Sequence, residues 1–178
     1  MKKMLLVIIL VAFGLVGCSS TVKREESNST GRVVLSEQNQ ISSMSISLTN
    51  DAKEKLKDNL KFDQNQLLYN VKKAFEANSL LNDKSETSLS DLEIQVKDVR
   101  VRSNFSAVMW GFMAGADSIT GDIVLRSPSG EEVNRFEVSV SYALGGIAGG
   151  QDDARMNWLY EKFAEETINE LTGKEKKI

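Results

Sequence analysis

The sequence predicts an α+β domain: an antiparallel sheet of about four to five strands with two to three helices packed on one face. Three observations predict it. Apolar side chains alternate with polar ones at 92–101 and 136–142 in the second half of the chain. Between these runs, Ser127-Pro128-Ser129-Gly130 carries the residue types of a tight turn. Two other stretches, 49–82 and 152–171, space their apolar residues three and four apart, the period of a helix lying on a core.

Taken in order, ordered structure is expected from Gly31, where Val33, Val34 and Leu35 suggest a short strand. Met44, Ile46 and Leu48 alternate with serines and predict a second. Thr49-Asn50-Asp51 then offers helix-capping side chains ahead of Ala52, Leu56 and Leu60, one stripe of a helix. Asp63 with Gln66 three residues on resembles a capping box, and Leu67, Leu68, Val71, Ala74 and Phe75 form the buried face that follows. Asn82-Asp83 is expected to end this helix. Leu92, Ile94 and Val96 alternate in one phase and Val99 and Val101 in the other, so a β-bulge is expected near Lys97-Asp98. Ile123 and Leu125 enter the turn at 127–130, and Phe136, Val138, Val140 and Tyr142 leave it, which makes a hairpin. A glycine-rich loop from Gly145 to Gly150 leads to Asp152 or Asp153 as the cap of a last helix. Its stripe is Met156, Leu159, Tyr160, Phe163, Ala164, Ile168 and Leu171, and Gly173 stands at its C-cap.

The N-terminus carries a different kind of signal. Lys2 and Lys3 precede an uncharged apolar run from Met4 to Val16. As a helix this run spans about 20 Å, short of the roughly 30 Å of a bilayer core, so it reads as a signal-peptide core and not a stable span. It ends in Leu15-Val16-Gly17-Cys18, the form of a lipobox: a small Gly17 before the cut, then a cysteine whose thiol takes a diacylglycerol. Cys18 is the only cysteine in the chain, so no disulfide can form within it. Residues 1–17 are therefore expected to be cleaved as signal peptide. Residues 18–30 are expected to be a lipidated cysteine and flexible tether, 31–173 one domain, and 174–178 a charged tail. Acyl chains of the palmitate type would hold the membrane, each buried methylene contributing ~0.8 kcal/mol. Ser19 after the cysteine favours the outer membrane over inner-membrane retention in a Gram-negative host.

Loss of Lys2 and Lys3 takes the formal net charge from −3 to about −5, which argues against nucleic acid as a partner. Histidine is absent. Ser–His and Cys–His nucleophilic sites and histidine-ligated zinc are thereby excluded, and no catalytic residue, metal or cofactor is expected. Asp152-Asp153 reads as helix capping, and Asp91, Glu93 and Asp98 as a solvated strand face. The loop at 145–150 lacks the spacing of a phosphate-binding fingerprint. The unusual segment is 105–116, in which Phe105, Met109, Trp110, Phe112 and Met113 stand among small residues with no charge before Asp117. It is either a buried strand and turn or an exposed contact for a partner or for lipid, with Trp110 as its anchor.

Gly111-Phe112-Met113-Ala114-Gly115-Ala116-Asp117, then Thr120-Gly121-Asp122-Ile123-Val124-Leu125, the hairpin, the glycine-rich loop and the last helix together resemble a family of uncharacterised Gram-negative envelope lipoproteins. The likeness covers roughly Leu67 to Leu171 and the lipobox. It implies a small α/β envelope domain with no assigned activity. Two functions follow as expectations. The first is a non-catalytic, membrane-anchored module that binds an envelope protein or assists assembly on the periplasmic face of the outer membrane. The second is a carrier or sensor of a small ligand or lipid, with 105–116 and the glycine loop at a pocket mouth.

Overall fold

The computed structural model describes residues 18–24, 33–57, 61–82, 90–102, 115–143 and 152–174. Its elements are β1 (Ser19–Lys23), β2 (Ser43–Leu48), α1 (Asn50–Leu56), α2 (Gln64–Ala77), β3 (Asp91–Arg100), β4 (Asp117–Arg126), β5 (Glu132–Tyr142) and α3 (Asp152–Thr172). The five strands form one sheet in the order β1-β5-β4-β3-β2. β3, β4 and β5 form an antiparallel meander, and β1 joins β5 antiparallel. β2 pairs with β3 in parallel, so the sheet is mixed where an antiparallel one was expected. The reason lies in the connection: α1 and α2 carry the chain from β2 back to the start of β3, and such a crossover delivers a parallel neighbour.

Alternation decides which face is buried. Leu92, Ile94 and Val96 of β3, Ile119, Ile123 and Leu125 of β4, and Phe136, Val138 and Val140 of β5 all point to one side and form the core with the helices. The phase change in β3 is real: the register against β4 slips between Val96 and Asp98, so Val99 returns to the buried side. The α3 stripe from Met156 to Leu171 is buried as its period requires. Gly173 adopts φ +70°, and the Lys174 N–H bonds to the Asn169 carbonyl at 3.0 Å, a left-handed helix stop. At the hairpin, Gly130 takes φ +84° and its N–H bonds back to Ser127 at 2.8 Å.

Helix capping follows the local chemistry. The Thr49 hydroxyl accepts from the Ala52 N–H at 3.2 Å, and the Asp63 carboxylate accepts from Asn65 and Gln66 at 2.8 and 3.1 Å. α2 is shorter than expected, ending at Ala77 with Asn78 as cap instead of at Asn82-Asp83. The chain from Leu80 to Asn82 instead pairs with Ile41, through bonds of 2.9 Å on either side of it. The strand expected at 33–35 is likewise not a strand. Leu35 is buried, and its N–H reaches the Leu171 carbonyl at 2.7 Å, closing the far end of α3.

The N-terminal boundary needs the largest correction. The tether expected over 18–30 is, at 19–23, the edge strand β1. Its five residues pair in register from Ser19 with Ser141 to Lys23 with Glu137. Val22 packs on the core, the Ser20 hydroxyl donates to Glu166 at 2.6 Å, and Arg24 lies over the Phe136 ring at 5.2 Å. Main-chain bonds and polar clamps hold this strand. A sequence with one apolar residue in five gives no period by which to see it.

Candidate functional site

β4 begins, β3 and β5 end, and α3 starts at the same end of the molecule. Cys18 is there too, exposed, one residue ahead of β1. The register that pairs Ser19 with Ser141 sets Cys18 opposite Tyr142, and the Tyr142 ring meets Trp158 of α3 at a centroid distance of 5.1 Å. Burial pushes the Cys18 thiol up from its ordinary value, against a smaller opposing effect of a hydrogen bond with the Ala143 backbone. Gly17 lies outside the described residues.

Behind this corner sits a buried ionic cluster. Asp117 is 0% exposed, and the side chains of Arg102 and Arg155 are 2% and 1% exposed. Asp117 accepts from the Arg102 backbone N–H at 2.6 Å, from Arg102 Nη2 at 3.0 Å and from Arg155 Nε at 2.8 Å. Arg102 also donates to the carbonyls of Gly115 and Tyr142 at 2.9 and 3.1 Å, and Arg155 to the Arg102 carbonyl at 3.2 Å. Asp152 takes Arg155 Nη2 at 2.5 Å and pairs with Lys61. Asp152 or Asp153 was expected to cap α3; both lie in its first turn, and Asp152 is buried against the two cations. Gly115, whose carbonyl accepts from Arg102, takes φ +86°, a left-handed conformation that favours glycine.

This cluster was missed at the level of sequence, although a signal existed. Asp117 falls in the buried phase of Ile119 and Ile123, and Arg155 in the stripe of Leu159 and Met156. Its arrangement is structural chemistry: it ties the ends of three strands to the start of α3. It brackets the two segments 103–114 and 144–151, whose flanking residues are Arg102 and Gly115, and Ala143 and Asp152. Phe105, Met109, Trp110, Phe112 and Met113 lie outside the described residues, as does the glycine-rich loop at 145–150.

Among the described residues the sheet's other face carries no helix and is polar. Lys97 bridges Asp122 and Glu137 at 3.1 and 2.8 Å, and Arg135 grips Glu132 through two bonds of 2.8 Å and reaches Asp122 at 3.1 Å. Asp91 accepts from Ser42 and Ser43, and Glu93 from Ser47 and Arg126. Asp98 pairs with Lys55. These carboxylates satisfy serines and basic side chains of neighbouring elements. Among the described residues no three His, Cys, Asp or Glu side chains group as a metal site, and no helix is long and apolar enough to cross a membrane. A groove of about 390 Å³ runs between α2 and α3, lined by Lys73, Ala77, Glu165, Ile168 and Lys174 among others.

The open sheet with helices on one face defines a small α+β domain. The chain belongs to the DUF4410 family, a domain of unknown function, whose family model matches residues 24–146. No curated protein matches it significantly. Among solved structures, the PelC dodecamer from Paraburkholderia phytofirmans is similar at 10% identity over 89% of this chain and 100% of that one, with a TM-score of 0.50. A minor lipoprotein from Acinetobacter baumannii aligns at 10% identity over 74% and 91% of the two chains, TM-score 0.44. A Xanthomonas campestris protein of the DUF330 family aligns at 15% over 80% and 92%, TM-score 0.47.

Proposed function

We propose that this protein is a lipid-anchored, non-catalytic envelope module. In this reading it binds a protein partner or assists an assembly on the periplasmic face of the outer membrane. The observation that carries the reading is the position of Cys18. The lipobox cysteine is exposed at the corner of the domain from which the apolar segment between Arg102 and Gly115 also departs. A buried ionic cluster fixes that departure point without offering a free nucleophile or base. The absence of histidine from the sequence supports a binding role over catalysis. A protein of similar fold is a dodecamer, so a second copy of this chain is among the partners to be tested.

The test is site-specific photo-cross-linking in intact cells. A cross-linker at Trp110 is expected to give a discrete envelope-protein adduct, whereas one at Ser129, on the hairpin at the opposite end, gives none. Equal, diffuse labelling from both positions would remove the docking role.

The groove between α2 and α3 favours a second reading, a carrier or sensor of a small ligand or lipid. It opens beside Glu161 and beyond, roughly 13 Å along α3 from Asp152, away from the mouth expected at the glycine loop. Co-purification of a stoichiometric small molecule, displaced by Ala77→Trp, would establish this reading in place of the first.

A further inference from the structure

We propose that the corner of the domain formed by Cys18, Tyr142 and Trp158 rests directly on the lipid headgroups, with the two aromatic rings as its contact. The proposal rests on the lipid anchor of the preceding section and adds the orientation that anchor imposes.

The argument begins with length. A residue spans at most about 3.6 Å, so a free tether would let a domain stand well off its membrane. Here Ser19 is already in the sheet, with its backbone paired to Ser141 and its hydroxyl 2.8 Å from the Ser141 hydroxyl. One peptide bond separates the acylated residue from the strand. To lift the domain, β1 would have to leave β5. It would also give up the Ser20–Glu166 bond and the Arg24 contacts with Glu170 and Asn134 at 2.6 and 2.7 Å. Those clamps lie along one side of α3, where Glu166 and Glu170 follow Trp158 at helical spacing, so Trp158 stands at the Cys18 end of the row.

The second observation is what surrounds Cys18. Tyr142 shares its side of the sheet with the other helix-facing residues of β5, and its ring is tilted 58° against the Trp158 indole. Both rings are half-buried, with their remaining edges on the surface. An aromatic body with a polar tip is the side chain that settles at a headgroup layer. The chain's net charge is negative, so this contact gains nothing from anionic lipid and should not weaken as salt rises.

Trp158 is one of two tryptophans in the chain, which makes the contact directly readable. The mature acylated protein carrying Trp110→Phe is reconstituted in phosphatidylethanolamine–phosphatidylglycerol vesicles, with bromine either near the headgroup end or near the methyl end of the acyl chains. Shallow bromines are expected to quench Trp158 by about a third or more and deep bromines far less, as for an interfacial ring. Quenching should not fall between low and high salt. Inserting a Gly-Ser linker of about twelve residues between Cys18 and Ser19 should abolish it. Should Trp110→Phe not fold, the same signal is the difference between wild type and Trp158→Phe. Intact mass reports acylation separately. An unmodified Cys18 overturns both the anchor and this inference. An acylated Cys18 with no quenching of Trp158 overturns this inference alone, as does an acylated chain in which the linker leaves quenching intact.

Discussion

Asp117 and Asp122 lie five residues apart on β4, on opposite faces of the sheet, and each meets more than one cation. Asp117 is wholly buried between Arg102 and Arg155, whereas Asp122 shares Lys97 and Arg135 with Glu137 and Glu132 on the polar face of the sheet. The residue types are nearly the same, and burial separates them. Removing one partner inside strands the other charges away from water, whereas removing one outside lets solvent replace it. The inner cluster is therefore a fixed joint, and the outer network is a tunable surface.

The largest expected effect breaks the joint. Asp117→Ala leaves two buried guanidinium groups facing each other without their carboxylate and should cost about 3–5 kcal/mol in denaturant unfolding. Asp117→Asn keeps the shape and should cost less. A loss under about 1 kcal/mol for Asp117→Ala would show that water enters this corner and that the contrast with Asp122 is false.

A middle-sized effect is expected where α2 meets α3. The Asp63 N–H donates to the Tyr160 hydroxyl at 2.8 Å, and the Phe62 and Tyr160 rings pack edge to face at 6.0 Å. Tyr160→Phe keeps the packing but orphans the N–H, and should cost about 1 kcal/mol. Burial pushes the Tyr160 hydroxyl up to about 12, more than its bond with Asp63 opposes. Since the folded value lies above the unfolded one, this stability is complete below about pH 10 and is lost as pH rises from there toward 12. The Tyr160→Phe protein should lack that alkaline loss, as read from unfolding midpoints between pH 9 and about 12.

The same contrast of burial and exposure explains what the sequence disclosed. The α3 stripe, the bulge near Lys97-Asp98, the hairpin and both N-caps were legible because period and turn chemistry are local properties. The inner cluster was only half legible. Asp117 and Arg155 occupy buried phases, but a charge on an apolar stripe names no partner, and Arg155 meets Asp117 across 38 positions of chain. β1 was not legible at all, since Ser19 to Lys23 are held by the edge of β5 and by Glu166. The parallel pairing of β2 was settled by the helices after it and not by its own alternation. Of the candidate site, the sequence drew attention to Cys18 as the proposed anchor, but its direct attachment to the sheet was not legible.

The smallest effect belongs to the outer network, and its pH dependence sharpens the comparison. Lys97 is held above its ordinary value first by its bond with Glu137, against some burial, and then by Asp122. A raised lysine stabilises below its unfolded value and loses that contribution as pH climbs through the folded one. Glu132 is held below its ordinary value chiefly by the bond from Arg135. That contribution is present above the usual glutamate range and fades as pH falls through the lowered value. The network should thus be flat between about pH 5 and 9 and weaken on either side. Lys97 is 42% exposed, so screening limits it: Lys97→Ala should cost about 0.2–1 kcal/mol at low salt and still less at 1 M salt. Asp117→Ala should keep its full cost at high salt. If salt instead weakened both variants' effects alike, the inner cluster would be open to ions, and the division between joint and surface would fall.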